Sequence, residues 1–287
     1  MSRSVRPGIP LRVALVAATL VLVAMGLLAS GIAVTTILRA EPKPALMYWS
    51  ARKAAERAIE MTRSGELADA LHAGQEREMI DVLRNACWDH RDDAADTGSA
   101  VHHAIERAIL HGDQPDYVPP MSDAARPRFQ AFREFEARYR PTWEASEATV
   151  YNRAHGYAGT LDAIAVIGGR RFILDVKTGK DVYPNHALQL AAYARGEFIG
   201  IASPGGGFGA QEHPMPKVDS AAVLLLRPRS WRLVEVDITA PVFDAFLVCM
   251  QMADWTTRVS RTAVRGTVPV PDEDASDVFR RFGGVAA

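Results

Sequence analysis

Apolar residues recur at two different spacings along this chain, and the spacing decides which element each stretch predicts. After Pro42-Lys43-Pro44, the stretch from Ala45 to Gly65 carries Tyr48, Trp49, Ala54, Ala55, Ile59 and Met61 at helical spacing. Glu66–Trp88 reads as one or two further helices, and Asp92–Gly98 as a polar break. Thr97-Gly98-Ser99 then leads into a new helix through Ala100-Val101-His102-His103-Ala104-Ile105-Glu106. Another helix is predicted over Ala124–Arg138, beyond a loop marked by Pro115, Pro119 and Pro120. The pattern then changes to strand: Glu147–Asn152 reads as one, and Leu161–Ile167 and Arg170–Lys177, rich in Val, Ile, Leu and Phe, as two more. Asn185–Phe198 returns to a helical period, and Ser203–Pro216 is predicted to be a flexible, unpacked loop. Ala221–Leu226 and Trp231–Ile238 form a second hairpin across Pro228, and Thr239–Arg258 a closing amphipathic helix. Helices, then strands, then helix, hairpin and helix suit an α/β protein with a mixed sheet flanked by helices.

The sharpest local signal is Gly168-Gly169 between two apolar runs. Both central positions of a two-residue hairpin loop need positive φ, which glycine supplies without steric cost. The predicted register pairs Ile167 with Arg170, Val166 with Arg171 and Ile164 with Ile173, and continuing it sets Asp162 opposite Asp175. Lys177 shares their face. Like charges directly opposite one another destabilise a sheet, so two facing carboxylates call for compensation. A divalent cation beside an ammonium group would supply it, and that is equipment for hydrolysing a phosphodiester.

Composition limits what else the chain can be. Lys and Arg total 33 against 34 Asp and Glu, a net charge of −1, so nucleic acid would be held in a local groove and not by the overall field. The arginines of the Ala124–Arg138 helix, Arg126, Arg128, Arg133 and Arg138, are either a solvated face or part of such a groove. Two cysteines, Cys87 and Cys249, are too few for a disulfide framework, a four-thiolate zinc site or an iron–sulfur cluster. The uncharged run Val13–Leu38 exceeds the ~20 residues that span a bilayer and follows Arg3, Arg6 and Arg12. Two readings stay open for it: a membrane anchor, or an over-extended start with translation beginning near Met25. Residues 1–33 are accordingly set apart from a domain over 34–262 and a loose tail over 263–287.

Taken together, Asp162, then Asp175-Val176-Lys177 thirteen positions on, then Gln189 and Tyr193 at i and i+4 of a helix, resemble the core of the PD-(D/E)XK nucleases. Gly98-Ser99-Ala100-Val101-His102 is similar to the RecB-like branch, which includes phage and CRISPR-associated exonucleases. The resemblance implies a restriction-endonuclease-like fold and a Mg²⁺- or Mn²⁺-dependent deoxyribonuclease, an exonuclease acting on single- or double-stranded DNA ends. It makes His102, Asp162, Asp175 and the Val176 carbonyl the metal ligands and Lys177 the group that activates water. Gln189 and Tyr193 position the strand or brace the lysine, and Glu147 resembles an auxiliary acid. His103 is the alternative to His102. The cysteine count departs from the members that carry an iron–sulfur cluster. No Gly-Lys-Ser/Thr phosphate loop occurs, so unwinding would fall to a separate helicase or recombinase partner. The implied setting is cytoplasmic, in phage recombination, DNA repair or CRISPR adaptation; the alternatives are a catalytically silent DNA-binding module on the same fold and a protein anchored through residues 13–38.

Overall fold

Period-two alternation along β3 (Tyr157–Ile167) and β4 (Arg170–Lys177) builds the centre of the sheet, and the diglycine turn closes them as expected. Gly168 and Gly169 have φ of 57° and 80°, and the ladder runs Ile167 with Arg170, Val166 with Arg171, Ile164 with Ile173 and Ala163 with Leu174. The structure is a computed structural model that describes residues 32–111, 117–201 and 211–268. It divides into two compact units, Met1–Ala253 and Asp254–Ala287.

The first unit holds an eight-stranded mixed sheet in the order β6, β5, β2, β3, β4, β7, β8, with β1 paired to β3. The remaining strands are β1 (Ile32–Ala33), β2 (Thr142–Asn152), β5 (Phe198–Ile201), β6 (Gln211–Pro214), β7 (Ser220–Arg227) and β8 (Ser230–Val236). The β1–β3 and β4–β7 pairs are parallel and the others antiparallel. The helices are α1 (Val34–Ile37), α2 (Pro44–Ser64), α3 (Glu66–His72), α4 (Glu76–Leu110), α5 (Arg126–Tyr139), α6 (Pro184–Ala194) and α7 (Ala240–Thr257). In the second unit a 3₁₀ turn follows at Val259–Thr262, and Asp254 pairs with Arg258 at 2.7 Å.

Each face of the sheet carries its own core. On one face Ala163, Ala165, Phe172, Leu174, Leu224 and Leu226 pack under Val101, Ala104, Ile105 and Ala108 of α4 and Phe129, Phe132 and Phe135 of α5. On the other, Val150, Tyr157, Leu161, Ile164, Ile173 and Val223 meet α6 through Leu190 and Tyr193, and α7 through Phe243 and Phe246. Burying some 25 cal/mol per Å² of apolar surface, these two layers supply the main stabilisation of the sheet.

Several expectations are corrected. Asp92–Gly98 is no break: α4 runs through it, because without a proline a lone glycine costs a helix only ~1 kcal/mol, less than the packing of its last turns returns. Helix α6 ends at Ala194, and Phe198 opens strand β5 instead. Part of the predicted loop, Gln211–Pro214, is strand β6, the edge of the sheet beside β5, while residues 202–210 lie outside the described residues. Val34–Leu38 is a single helical turn after a two-residue strand, and Val34, Ile37 and Leu38 are buried in the core. Thus the described end of the apolar run is core; its remainder, with the anchor and late-start readings, lies outside the described residues, as does the tail over 269–287. Both cysteines are half-buried rather than buried. Among the described residues no helix is long and apolar enough to cross a membrane.

Candidate metal centre

The centre lies where two strands change phase. Leu161 and Ile164 of β3 both pack into the α6 and α7 core, and so do Ala145 and Ala148 of β2. Residues three apart on a strand point to opposite faces, so each strand reverses face between them, although the β2–β3 register is unbroken here and shifts only between Trp143 and Ala145. The two reversals coincide. Ser146 pairs with Ala163 and Ala148 with Leu161, leaving Glu147 facing Asp162 between them, and Glu147 takes a left-handed φ of 46° to do so. A non-glycine residue in that region stores on the order of 1 kcal/mol or more, and such strain collects at functional sites.

Helix α4 brings the third group. His102 Nδ1 lies 3.5 Å from Asp162 Oδ2 and 3.8 Å from Glu147 Oε1, and one ligand atom from each of the three residues falls within 4.8 Å of the others. This trio could hold a metal ion. Its electrostatics already favour a cation: burial pulls the His102 pKa down, but Asp162 and Glu147 outweigh it and raise it to about 9. An imidazolium therefore stands between the two carboxylates at neutral pH. One imidazole with carboxylate oxygens is the donor set of Mg²⁺ or Mn²⁺ more than of Zn²⁺.

Asp175 and Lys177 lie beside the trio on β4. The β3–β4 ladder ends at Ala163–Leu174, one pair short of Asp162 and Asp175; there the Asp162 carboxylate accepts a 2.6 Å hydrogen bond from the Val176 N–H. Asp175 does not belong to the converging trio. Its Oδ1 takes the Lys177 ammonium at 2.5 Å, and its side chain is 2% exposed. Asp175 Oδ2 is buried with no hydrogen-bond partner among the described residues, an orphaned acceptor that suits a ligand's approach. Burial raises the Asp175 pKa against the opposing pull of Lys177. At Lys177 burial acts downward, and Asp175 with Asp162 overcomes it, so the ammonium stays charged.

Helix α6 closes the other side. Gln189 Nε2 donates to the Tyr193 hydroxyl at 3.4 Å, and burial raises the pKa of that hydroxyl. Tyr193 reaches the sheet because Gly159 of β3 has no side chain: a Cβ there would sit 2.8 Å from Tyr193 Cε1. His186, not anticipated from the sequence, is buried in the first turn of α6; its Nδ1 accepts the Tyr183 N–H at 3.3 Å, and Asp175 and Lys177 both act on its charge. His103 turns away to Glu106, 3.3 Å from its carboxylate. Hence His102 and Asp162 converge with Glu147, while Asp175, Val176 and Lys177 adjoin them on β4 and Gln189 and Tyr193 on α6. The weight Glu147 carries was the least visible part of the sequence, its one signal being the resemblance that made it an auxiliary acid on the strand before the hairpin.

Fold and site define a mixed α/β protein with a candidate metal-binding trio at a kink shared by two central strands. No family model matches the chain, and no curated protein matches it. Among solved structures it is similar to SSO0001, at 11% sequence identity with a TM-score of 0.32, over 86% of this chain and 87% of that one. That likeness is too loose to carry an argument.

Proposed function

We propose that the protein is a metal-dependent deoxyribonuclease, an exonuclease that hydrolyses phosphodiester bonds at DNA ends, with a RecB-like PD-(D/E)XK site. One observation carries the reading: an imidazole and two carboxylates, His102, Glu147 and Asp162, converge within 4.8 Å beside an Asp175–Lys177 ion pair. His102, Glu147 and Asp162 would hold Mg²⁺ or Mn²⁺, with Asp175 and the Val176 carbonyl as the ligands that the resemblance adds. A bound ion would supply Lewis-acid chemistry, polarising the phosphoryl group and lowering the pKa of the water that attacks its phosphorus.

The remaining work falls to the chain's own side chains. The Lys177 ammonium supplies positive charge where the phosphoryl group gains negative charge, and its pairing with Asp175 keeps it protonated. Asp162 is braced by the Val176 N–H, which fixes Oδ2, the oxygen nearest His102. Gln189 and Tyr193, tied to each other, form the wall against which a strand is aligned. The hydrolysis adds water across one P–O bond and yields a phosphate monoester and a hydroxyl.

The test is digestion of 5′- and 3′-end-labelled single- and double-stranded DNA with EDTA, Mg²⁺ or Mn²⁺. Metal-dependent shortening from one end supports the reading. Intact substrate at every metal concentration overturns it and leaves a silent DNA-binding module on this fold.

A further inference from the structure

Around most of the sheet the guanidinium groups are neutralised in pairs, such as Arg153 with Glu212, Arg170 with Glu235 and Arg171 with Glu144. On α5, Arg126 meets Asp123 and Arg133 meets Glu136 and the Tyr117 carbonyl, while Arg128 donates to the neutral Ala124 carbonyl. Past the C-terminal ends of β4 and β7 the balance changes. Lys177 shares a rung with Leu225, and Leu225 with Arg232, which sets Lys177 and Arg232 about 10 Å apart across two strand spacings. The β7–β8 turn adds Arg227 and Arg229. Lys180 follows Lys177 by three residues, so its backbone lies within about 11 Å of it.

These cations stand on a braced platform. Arg227 donates to the Lys180 carbonyl, Arg232 pairs with Asp181 at 2.5 Å, and Asp181 in turn accepts the Val182 N–H at 2.9 Å. Arg229 holds a left-handed φ of 69° at the turn. The same segment touches the His102 helix, since a Cβ at Gly98, one turn before His102, would lie 3.3 Å from Thr178 Oγ1. Arg232 has its carboxylate. The Lys180 ammonium and the Arg229 guanidinium are exposed and meet no carboxylate among the described residues, and Arg227 spends one nitrogen on a neutral carbonyl. The result is an excess of positive charge next to the metal centre in a chain whose net charge is −1.

We infer that Lys180, Arg227 and Arg229 form a rail for the phosphate backbone of the DNA strand entering the centre. The inference rests on the nuclease reading and deepens it by naming the surface that holds the substrate. Such contacts carry no sequence information, which suits an enzyme that works from ends. They release counterions, so each one steepens the salt dependence of binding.

The experiment compares the full-length parent with Lys180→Glu, Arg229→Glu and the double variant, neither side chain being part of the metal centre or of the brace, to which Lys180 gives only its carbonyl. Each is assayed on end-labelled DNA over a salt series and on bis(p-nitrophenyl) phosphate, a single phosphodiester too small to reach from the centre to the rail. The expected result is a KM for DNA raised at least about tenfold in the double variant, a salt slope reduced by about 1 per cation removed, and unchanged turnover of the small ester. Parental KM and salt slope on DNA would overturn the rail. So would an equal loss on both substrates, which would mean a damaged centre. A parent that hydrolyses neither substrate with any metal sinks the nuclease reading itself, and the rail with it.

Discussion

Glu147 faces Asp162 across β2 and β3 between two regular backbone pairs, at a rung where both strands reverse face. The consequence is chemical: carboxylates that a regular ladder would turn outward or bury are aimed together at His102. Strain and ligation at Glu147 are therefore separable. The residue at 147 must accept a left-handed backbone whatever its side chain does, and only the side chain can bind an ion.

Glu147→Gly and Glu147→Ala both remove the carboxylate, but glycine also relieves the backbone. The glycine variant should be more stable than the alanine variant by about 1 kcal/mol in chemical denaturation without metal. Both should lose Mn²⁺ affinity by tenfold or more in titration calorimetry, about the loss typical of disturbing a metal site. Equal stability of the two variants would show that the φ of 46° carries no strain.

His102 makes metal-free stability fall with pH. Its folded pKa of about 9 lies above the unfolded value of 6.5, so its contribution is complete below 6.5 and is lost as pH rises through 9. Melting in EDTA across that window should show a decline in the parent that His102→Gln flattens. Metal affinity should run the opposite way and rise with pH, because ligation requires His102 to release its proton. A parent and variant with parallel pH profiles would contradict the assignment.

Substitutions in the Asp175–Lys177 pair should not be silent in stability. Lys177→Ala leaves a buried carboxylate whose other oxygen already lacks a partner, a loss of about 3–5 kcal/mol. Asp175→Asn/Lys177→Met removes both charges and should recover most of that loss while remaining inactive on DNA. Urea denaturation separates the cases; if the single Lys177 variant matches the parent, the pair is solvated rather than buried.

Gly159→Ala should push Tyr193 off the sheet. The added carbon would lie 2.8 Å from a ring atom of a side chain that is 2% exposed and has no room to swing, at a cost of about 1–3 kcal/mol. The fluorescence and denaturation midpoint of the variant report this; an unchanged midpoint would mean that α6 simply shifts outward.

Much of the centre could be read from the chain because its signals are local. Gly168-Gly169 fixed the β3–β4 turn and its register, and Asp175 and Lys177 follow on one face by alternation alone. His102 was visible from its motif on a helix. Glu147 was barely visible, since Ala145-Ser146-Glu147-Ala148 fits either phase of a strand equally well. The short strands β1, β5 and β6 were missed for a related reason: a segment of two to four residues becomes a strand when a neighbour offers unpaired backbone groups. The uninterrupted α4 shows the converse, a weak local break overridden by packing.

The amino-acid sequence by itself determined the periodic elements, the central hairpin and the identity of the charged side chains on it, because those depend on residues within a few positions of one another. Tertiary structure decided which acids share a site. The choice of Glu147 rather than Asp175 as the companion of His102 and Asp162 depends on the change of face in two strands, the end of the β3–β4 ladder at Leu174 and the seating of α4 over one face. These follow from packing between segments tens of residues apart, where pairing energy and not local preference sets the geometry.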